Sequence, residues 1–528
     1  MSAISYAFLA FLAITIVFYY IVPKKMQWVV LLLASLYFYL MAGVQYLAVV
    51  VLTACVVYGF ALLMQKNLDA QNRMVEGLDR RAARSIKNKM KQKRKKILVP
   101  ALVFVIGVLF LFKGMGFFIK NVNRILGLIS LSNLPEWELI APLGISFYSF
   151  MMISYLMEIY NDKASAERNF LKYLTYVLYF PHVTQGPIAR YSEISPQIYA
   201  KHKFNYDTVV QGMWLIIWGY FKKLVIADRL SLFVTGVFDH RGSYQGSIFF
   251  FAGVMYSIQI YCDFSGCMDI VRGASECFDI HLSENFERPY FSQTLPEFWR
   301  RWHISMGAFF REYVFYPVST SSVFLKLNTF ARKHLGNEIG RNIASCFPIL
   351  CVWFLTGFWH GANWNYIGWG LYHGFLICMS TIFEQPIAKM TKKLNVRTNC
   401  ISWSIFRMIR TFILCVIGRI IFMGHGLRAS LNMLKSIVVH HDVFYNVESI
   451  GLSHNEWLIV IAACIVLLLV SVAQELRKQN GNQETIRQWL ACQNLWFRWA
   501  VLIGGIMIIL IYGVYGSGVG KTFIYEKF

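Results

Sequence analysis

Apolar residues in this chain gather into long runs, among them Phe8–Val22, Ile97–Phe112, Trp457–Ser471 and Trp499–Tyr515. A helix advances about 1.5 Å per residue, so about 20 such residues cross the hydrocarbon core of a bilayer. Several runs in one chain leave little room for a soluble protein. Composition agrees: only 15% of the 528 residues are charged, against about a quarter in soluble domains. No long polar segment is available to fold separately, so one membrane domain is expected. The first run follows no positive charge, and no small-residue cleavage site precedes Pro23-Lys24-Lys25. It reads as a retained first helix, not a removable signal.

Charge sets the topology. The net charge of +23 suggests nucleic acid at first sight, but Lys and Arg collect in the cytoplasmic loops of membrane proteins. No nucleic-acid partner is expected. Lys66–Lys96 holds twelve Lys or Arg against three acids, which places it in the cytoplasm. Working backwards, residues 46–64 and 28–42 cross the membrane, Lys24 and Lys25 fall inside, and the N-terminus falls outside. A second inside segment carries Lys389, Lys392, Lys393, Arg397, Arg407 and Arg410. Residues 411–424 then exit, with Arg419 needing a buried partner or a cavity. His425–Glu456 sits outside, residues 457–474 return, and 499–516 exit again. Both termini are therefore expected outside. The fold class is an all-α polytopic membrane protein with about ten to twelve transmembrane helices. Residues 281–345 are too polar to span simply and read as interfacial or re-entrant helices, which need protein or a cavity around their backbone. No internal repeat supports an inverted-repeat transporter.

The eleven cysteines suggest neither disulfides nor a metal. Cys55, Cys351, Cys378, Cys415 and Cys464 sit in apolar runs. The pairs Cys262/Cys267 and Cys346/Cys351 lack nearby ligand partners. They read as small buried apolar residues.

Ionisable residues inside apolar segments are costly and tend to be functional. His360 stands in Thr356-Gly357-Phe358-Trp359-His360-Gly361-Ala362-Asn363-Trp364. An imidazole at that depth can act as a general base, since it titrates near neutrality. It can equally be a buried side chain that only bonds a helix. A second cluster is Pro296-Glu297-Phe298-Trp299-Arg300-Arg301-Trp302-His303-Ile304-Ser305. Its Trp and Arg suit a headgroup anchor, while Arg300 and Arg301 also suit the phosphates of a donor. Asp263 and Asp269 read as the end of an apolar helix; two carboxylates without further oxygen ligands are a weak cation signal, and no metal is expected. Pro181-His182-Val183-Thr184-Gln185-Gly186-Pro187-Ile188 suits a re-entrant turn.

Taken together, Phe298–His303 followed by Trp359-His360-Gly361-Ala362 resembles the paired signature of membrane-bound O-acyltransferases. The nearest branch holds the alginate O-acetylation protein and the teichoic acid D-alanyl transferase. Pro181–Pro187, Tyr261–Gly266 and Asn285–Tyr290 resemble that branch too. The resemblance implies a catalytic His360, with His303 as its partner across a central tunnel. Trp299, Trp359, Asn363, Arg300 and Arg301 would contact substrate. It also implies a bacterial cell membrane location and a division into four parts. Residues 1–118 would form N-terminal spanning helices with the cytoplasmic basic loop 66–96, and 119–383 the catalytic core. Residues 384–517 would be C-terminal spanning helices and 518–528 an extracellular tail.

That tail, Phe523-Ile524-Tyr525-Glu526-Lys527-Phe528, resembles the terminal Phe-x-Tyr-x-x-Phe motif of these systems. Terminal residues usually fray, but the resemblance implies that Tyr525 carries the acyl group. No bound cofactor is expected. Acetyl-CoA is the expected donor substrate and an extracellular glycan the acceptor, with membrane lipid around the chain. The sequence contains no hydrolase-like domain, so the resemblance also implies a secreted or membrane-anchored esterase-like partner. Three rivals remain. A transporter or flippase for a glycan or lipid precursor would be equally basic and polytopic. Other members of the family would use a D-alanyl carrier protein as donor or a lipid as acceptor. A purely structural scaffold would leave the buried histidines unexplained.

Overall fold

The computed structural model describes residues 5–137, 139–441, 443, 445–481 and 484–515. Among them, the regular elements are all helices. The expected tail 518–528 lies outside the described residues.

The N-terminal part begins with α1 (Tyr6–Ile21), started by the Ser5 hydroxyl accepting from Phe8 N–H at 3.1 Å and ended just before Pro23. α2 (Gln27–Leu40) follows, then a hairpin of two long helices, α3 (Val44–Val75) and α4 (Arg80–Lys113). The basic segment 66–96 is therefore mostly helix, with a turn only near residues 76–79. Its Lys, Arg, Gln, Met and Ala are all good helix formers. Asp79 caps α4 by accepting from Ala82 N–H at 3.1 Å. Arg94, 3% exposed, is turned inward and donates to Gln71 at 2.8 Å, while most of the other basic side chains face outward. Each of these helices is about 50 Å long at 1.5 Å per residue, well beyond a hydrocarbon core of about 30 Å.

α5 (Met115–Leu128), α6 (Ile145–Tyr160), α7 (Phe170–Leu178) and α8 (Tyr191–Ile198) follow. α6 is buried along nearly its whole length. Between α7 and α8, residues 179–190 are irregular and almost entirely buried. The segment is held by turn hydrogen bonds, His182 N–H to Tyr179 O at 3.1 Å and Gly186 N–H to His182 O at 2.9 Å. Tyr176 Oη donates to Ala189 O at 2.9 Å. Irregular backbone at this depth is tolerated only where protein satisfies it.

α9 (Tyr206–Tyr220) runs through a π-helical turn, Phe221–Ala227, into α10 (Asp228–Asp239). α11 (Ile248–Glu276) comes next. The amphipathic stretch breaks into α12 (Leu295–Arg301), α13 (Ile304–Phe310), the π-helical turn Arg311–Phe315, α14 (Tyr316–Ser319) and α15 (Ser322–Leu335). α16 (Asn337–His360), α17 (Trp364–Lys393), α18 (Ile401–Met423), α19 (Leu427–Val439), α20 (His454–Gln479), α21 (Ile486–Ala491) and α22 (Leu495–Tyr512) complete the chain.

Eight stretches are long and apolar enough to cross a membrane among the described residues: α3, α4, the continuous Tyr206–Asp239, α11, α16, α17, α20 and α22. The chain is an all-α polytopic membrane protein. The expected count of ten to twelve also drew on three segments outside those eight. α1 and α2 have 16 and 14 residues, and α18 has 23 but carries Arg407, Arg410 and Arg419.

Two compact units emerge. One comprises Met1–Ile216 with Asp269–Ser283. In it, Gln27 Nε2 donates to His202 O at 3.0 Å and Gln27 Oε1 accepts from His202 N–H at 3.0 Å. The other comprises Ile217–Met268 with Glu284–Phe528. Its core is rich in aromatic side chains, including Phe233, Tyr256, Phe264, Phe298, Trp302, Trp353, Trp369 and Phe422. Both sequence-marked histidines belong to this second unit.

Candidate active site

His303 is presented by two arms of chain that pair in antiparallel fashion. Glu287 N–H donates to Arg301 O at 2.9 Å, Ile304 N–H donates to Asn285 O at 3.0 Å, and Phe286 bridges Trp302. α12 feeds the second arm; the Thr294 hydroxyl caps it by accepting from Glu297 N–H at 3.3 Å. The backbone then turns at His303 itself, which has φ 48° and ψ 54°. That left-handed conformation is uncommon outside glycine, though histidine adopts it more readily than most.

The side chain is fixed as firmly. Asn285 Oδ1 accepts from Ser305 N–H and from Ser305 Oγ, both at 2.9 Å, and lies 3.3 Å from His303 Nδ1. Asn285 Nδ2 lies 3.1 Å from His303 Nδ1. The Asn285 side chain thus holds the ring at Nδ1. Burial pushes this imidazole down to about 3, which keeps it uncharged. Phe264 packs edge-on to it at 4.8 Å.

His360 is the last residue of α16 and is 3% exposed. Gly361 leaves the helix in extended backbone, and Asn363 stands before the first turn of α17. The two helices touch through glycines. A Cβ at Gly357 would fall 2.5 Å from Tyr366 O, and one at Gly370 would fall 2.3 Å from Trp353 O. That close approach places Trp359, Trp369 and Phe422 around the His360 ring, at centroid distances of 4.8, 5.0 and 5.6 Å. His303 meets the same Trp359 ring at 6.1 Å. Two imidazoles from separate elements thus flank one indole.

The other expected contact residues divide. Trp299 joins this aromatic wall, 5.6 Å from Trp369 and 5.0 Å from His373. Arg300 is exposed. Arg301, expected to meet donor phosphates, is instead held by Glu297 at 2.9 Å and Glu475 at 3.3 Å. Asn363 is exposed; the buried amide nearby is Asn365, whose Nδ2 donates to Phe422 O at 2.9 Å. Asn285 and His373 belong to the site region as well. Only the stretch Asn285–Tyr290 gave any sequence signal for the former.

An ionic clamp ties the His303 arms to α20. Glu475 receives Arg288 Nε at 2.6 Å as well as Arg301, and Lys478 pairs with Glu287. Replacing Glu475 with alanine removes the carboxylate that Arg288 and Arg301 share. The expected result is a lower melting temperature and a turnover reduced about ten- to hundredfold through loosened placement of His303. Glu475→Asp should keep most of both. Melting curves and initial rates on the two variants check this; an alanine variant equal to the parent in both would dismiss the clamp.

A second ionic group lies on the π-helical turn. Lys223 Nζ contacts Asp263 Oδ1 at 2.6 Å and Asp228 Oδ1 at 2.8 Å, and all three side chains are nearly inaccessible. Lys222 Nζ donates to Ser265 Oγ at 2.9 Å. Asp263 therefore stands in the middle of α11 as an ion-pair partner, not at a helix end as the sequence suggested. Asp269, also within α11, lies 3.9 Å from Arg272. π-turns of this kind often occur at functional positions; here the turn directs two adjacent lysines inward.

Tyr525 lies outside the described residues.

Residues 95–426 match the model of the membrane-bound O-acyltransferase family. The chain is 28% identical to the probable alginate O-acetylase AlgI of Pseudomonas syringae, over 82% of this chain and 74% of that protein. It is 29% identical to the peptidoglycan O-acetyltransferase of Helicobacter pylori, over 77% and 73% of the two chains. It is also 28% identical to the teichoic acid D-alanyltransferase of Bacillus subtilis, over 55% and 70%. With more than half of its length matched, the chain belongs to the membrane-bound O-acyltransferase family and is an O-acyltransferase enzyme.

Proposed function

We propose that this enzyme carries an acetyl group from cytoplasmic acetyl-CoA to an extracellular polysaccharide. The observation that carries this reading is the pair His303 and His360 flanking Trp359 in a largely aromatic, buried setting. His360 removes the proton from the acceptor hydroxyl as its oxygen attacks the thioester carbonyl. The C–O bond forms, the C–S bond breaks, and the imidazolium returns its proton to the departing thiolate. His303 donates through Nε2–H and orients the thioester. Arg300, on the exposed side of α12, meets donor phosphates, while Arg301 serves the clamp. Trp299, Trp359 and Asn363 border the passage along which donor and acceptor arrive.

Both termini face outward, and Tyr525 is the first acceptor. A phenol has a pKa of about 10, below that of a sugar hydroxyl, so its ester keeps much of the thioester's transfer potential. A secreted or membrane-anchored esterase-like partner then passes the group to the glycan. Relatives named for alginate and peptidoglycan O-acetylation align with more of this chain than the D-alanyl relative does, which favours acetyl over D-alanyl transfer.

The test is thiol release from acetyl-CoA by the purified protein in lipid nanodiscs, followed by mass spectrometry of its C-terminal peptide. Acetylation at Tyr525 is expected, and Tyr525→Phe should abolish glycan acetylation in cells. Full glycan acetylation by that variant, with an unmodified tail in the parent, would remove the carrier step. Absence of thiol release in the presence of acceptor and partner would remove acetyl-CoA as donor.

A further inference from the structure

Arg419 is a buried cation that the steps above leave unused. It is 4% exposed, on α18. Three residues on, Phe422 packs against His360; positions three apart share a helix face. The guanidinium carbon lies 4.5 Å from the centre of the Trp302 ring, next in sequence to His303. The neighbouring Gly418 brings α18 against His373, since a Cβ there would meet His373 Nε2 at 2.5 Å. Arg419 thus lies against Trp302, on the helix whose Phe422 packs on His360.

Its charge is not balanced by a carboxylate. Among the described residues Arg419 has no ion pair, and its Nη2 has no hydrogen-bond partner. The face of Trp302 compensates a cation only in part. A buried guanidinium without an anion is costly, and charges kept in membrane-spanning bodies usually meet a ligand. The arginine's forked N–H donors suit an oxygen anion. Donor phosphates are strongly hydrated and suit headgroup depth; the part of the donor that must reach His360 is the uncharged thioester. Acyl transfer itself then creates the anion, on the former carbonyl oxygen.

We propose that Arg419 binds the carbonyl oxygen of the acyl donor and holds the oxyanion formed when the acceptor attacks. The inference rests on the assignment of His360 as the base. As the hydroxyl proton passes to His360 and the C–O bond forms, the carbonyl π electrons move onto oxygen, where Arg419 neutralises them. The C=O bond then re-forms, the C–S bond breaks, and His360 protonates the thiolate.

The experiment compares full-length parent, Arg419→Gln, Arg419→Ala and Arg419→Lys in nanodiscs, by thiol release from acetyl-CoA at varied donor and acceptor concentrations. Loss of an oxyanion donor lowers kcat about 10²- to 10³-fold with little change in donor KM. Added methylguanidinium should restore part of the Arg419→Ala rate, while tetramethylammonium should not. Melting curves report folding. Should both neutral variants fail to fold, Arg419→Lys decides: a kcat at least about tenfold lower supports the proposal, and parental kcat overturns it. A change confined to acceptor KM would also overturn it, assigning Arg419 to an anionic group of the acceptor instead. An inactive His360→Ala beside a fully active Arg419→Gln would retire this inference alone. A thiol-releasing His360→Ala would retire the underlying assignment.

Discussion

His360→Ala is expected to slow acetyl transfer by about 10³-fold while leaving a folded, membrane-inserted protein. General-base catalysis by a positioned imidazole is worth about 10²- to 10⁴-fold. Trp359, Trp369 and Phe422 pack against His360, and none of these rings takes up a proton. The truncation also opens a space at the end of α16, which should cost about 1–3 kcal/mol, a loss that a large helical core tolerates. His360→Gln fills the space and removes the base, so it should be as slow as alanine and more stable. The check is initial thiol release for both variants, read beside their melting temperatures. Activity within a few-fold of the parent in a folded His360→Gln would return this imidazole to a packing role.

The largest effect on stability is expected at Asp263. Lys223 bridges Asp228 and Asp263 inside the helical body, and Lys222 donates to Ser265 beside them, so two cations are set among two anions. Alanine at 263 leaves two buried cations and one anion. Removing one member of a buried pair costs about 3–5 kcal/mol, because the remaining charge stays desolvated. Asp263→Ala should therefore be recovered in low yield and melt well below the parent. Pairing it with Lys223→Met restores the balance and should recover a good part of the loss. A double-mutant cycle of melting free energies measures the coupling; additive effects, with the double variant no better than the sum, would show that the pair contributes little.

The membrane class was legible because hydrophobic burial in lipid writes itself locally, as runs such as Ile97–Phe112 inside α4. The two histidines were legible for a related reason. Each sits in a short aromatic motif, and residues of both motifs are neighbours in space. What stayed hidden depends on partners far apart in the chain. Lys223 and Asp263 are separated by forty residues, and Arg288 and Glu475 by 187; no local pattern joins them. That Asn365 is buried while Asn363 is exposed depends on which side of α17's first turn faces inward, and a short motif does not reveal that. The compact units escaped notice because residues 269–283 return to the first one after the chain has entered the second. The basic segment was legible as charge but not as shape, since positive side chains facing water suit a helix as well as a loop.

The left-handed backbone at His303 narrows what mutation can explore there. Glycine, asparagine and aspartate enter that conformation with modest strain, while valine or isoleucine meets a steric barrier before its chemistry matters. A family drifting at this position would pass through small polar side chains far more readily than through branched ones. The natural comparison for the imidazole is therefore asparagine, which keeps the bend and changes only the group it displays.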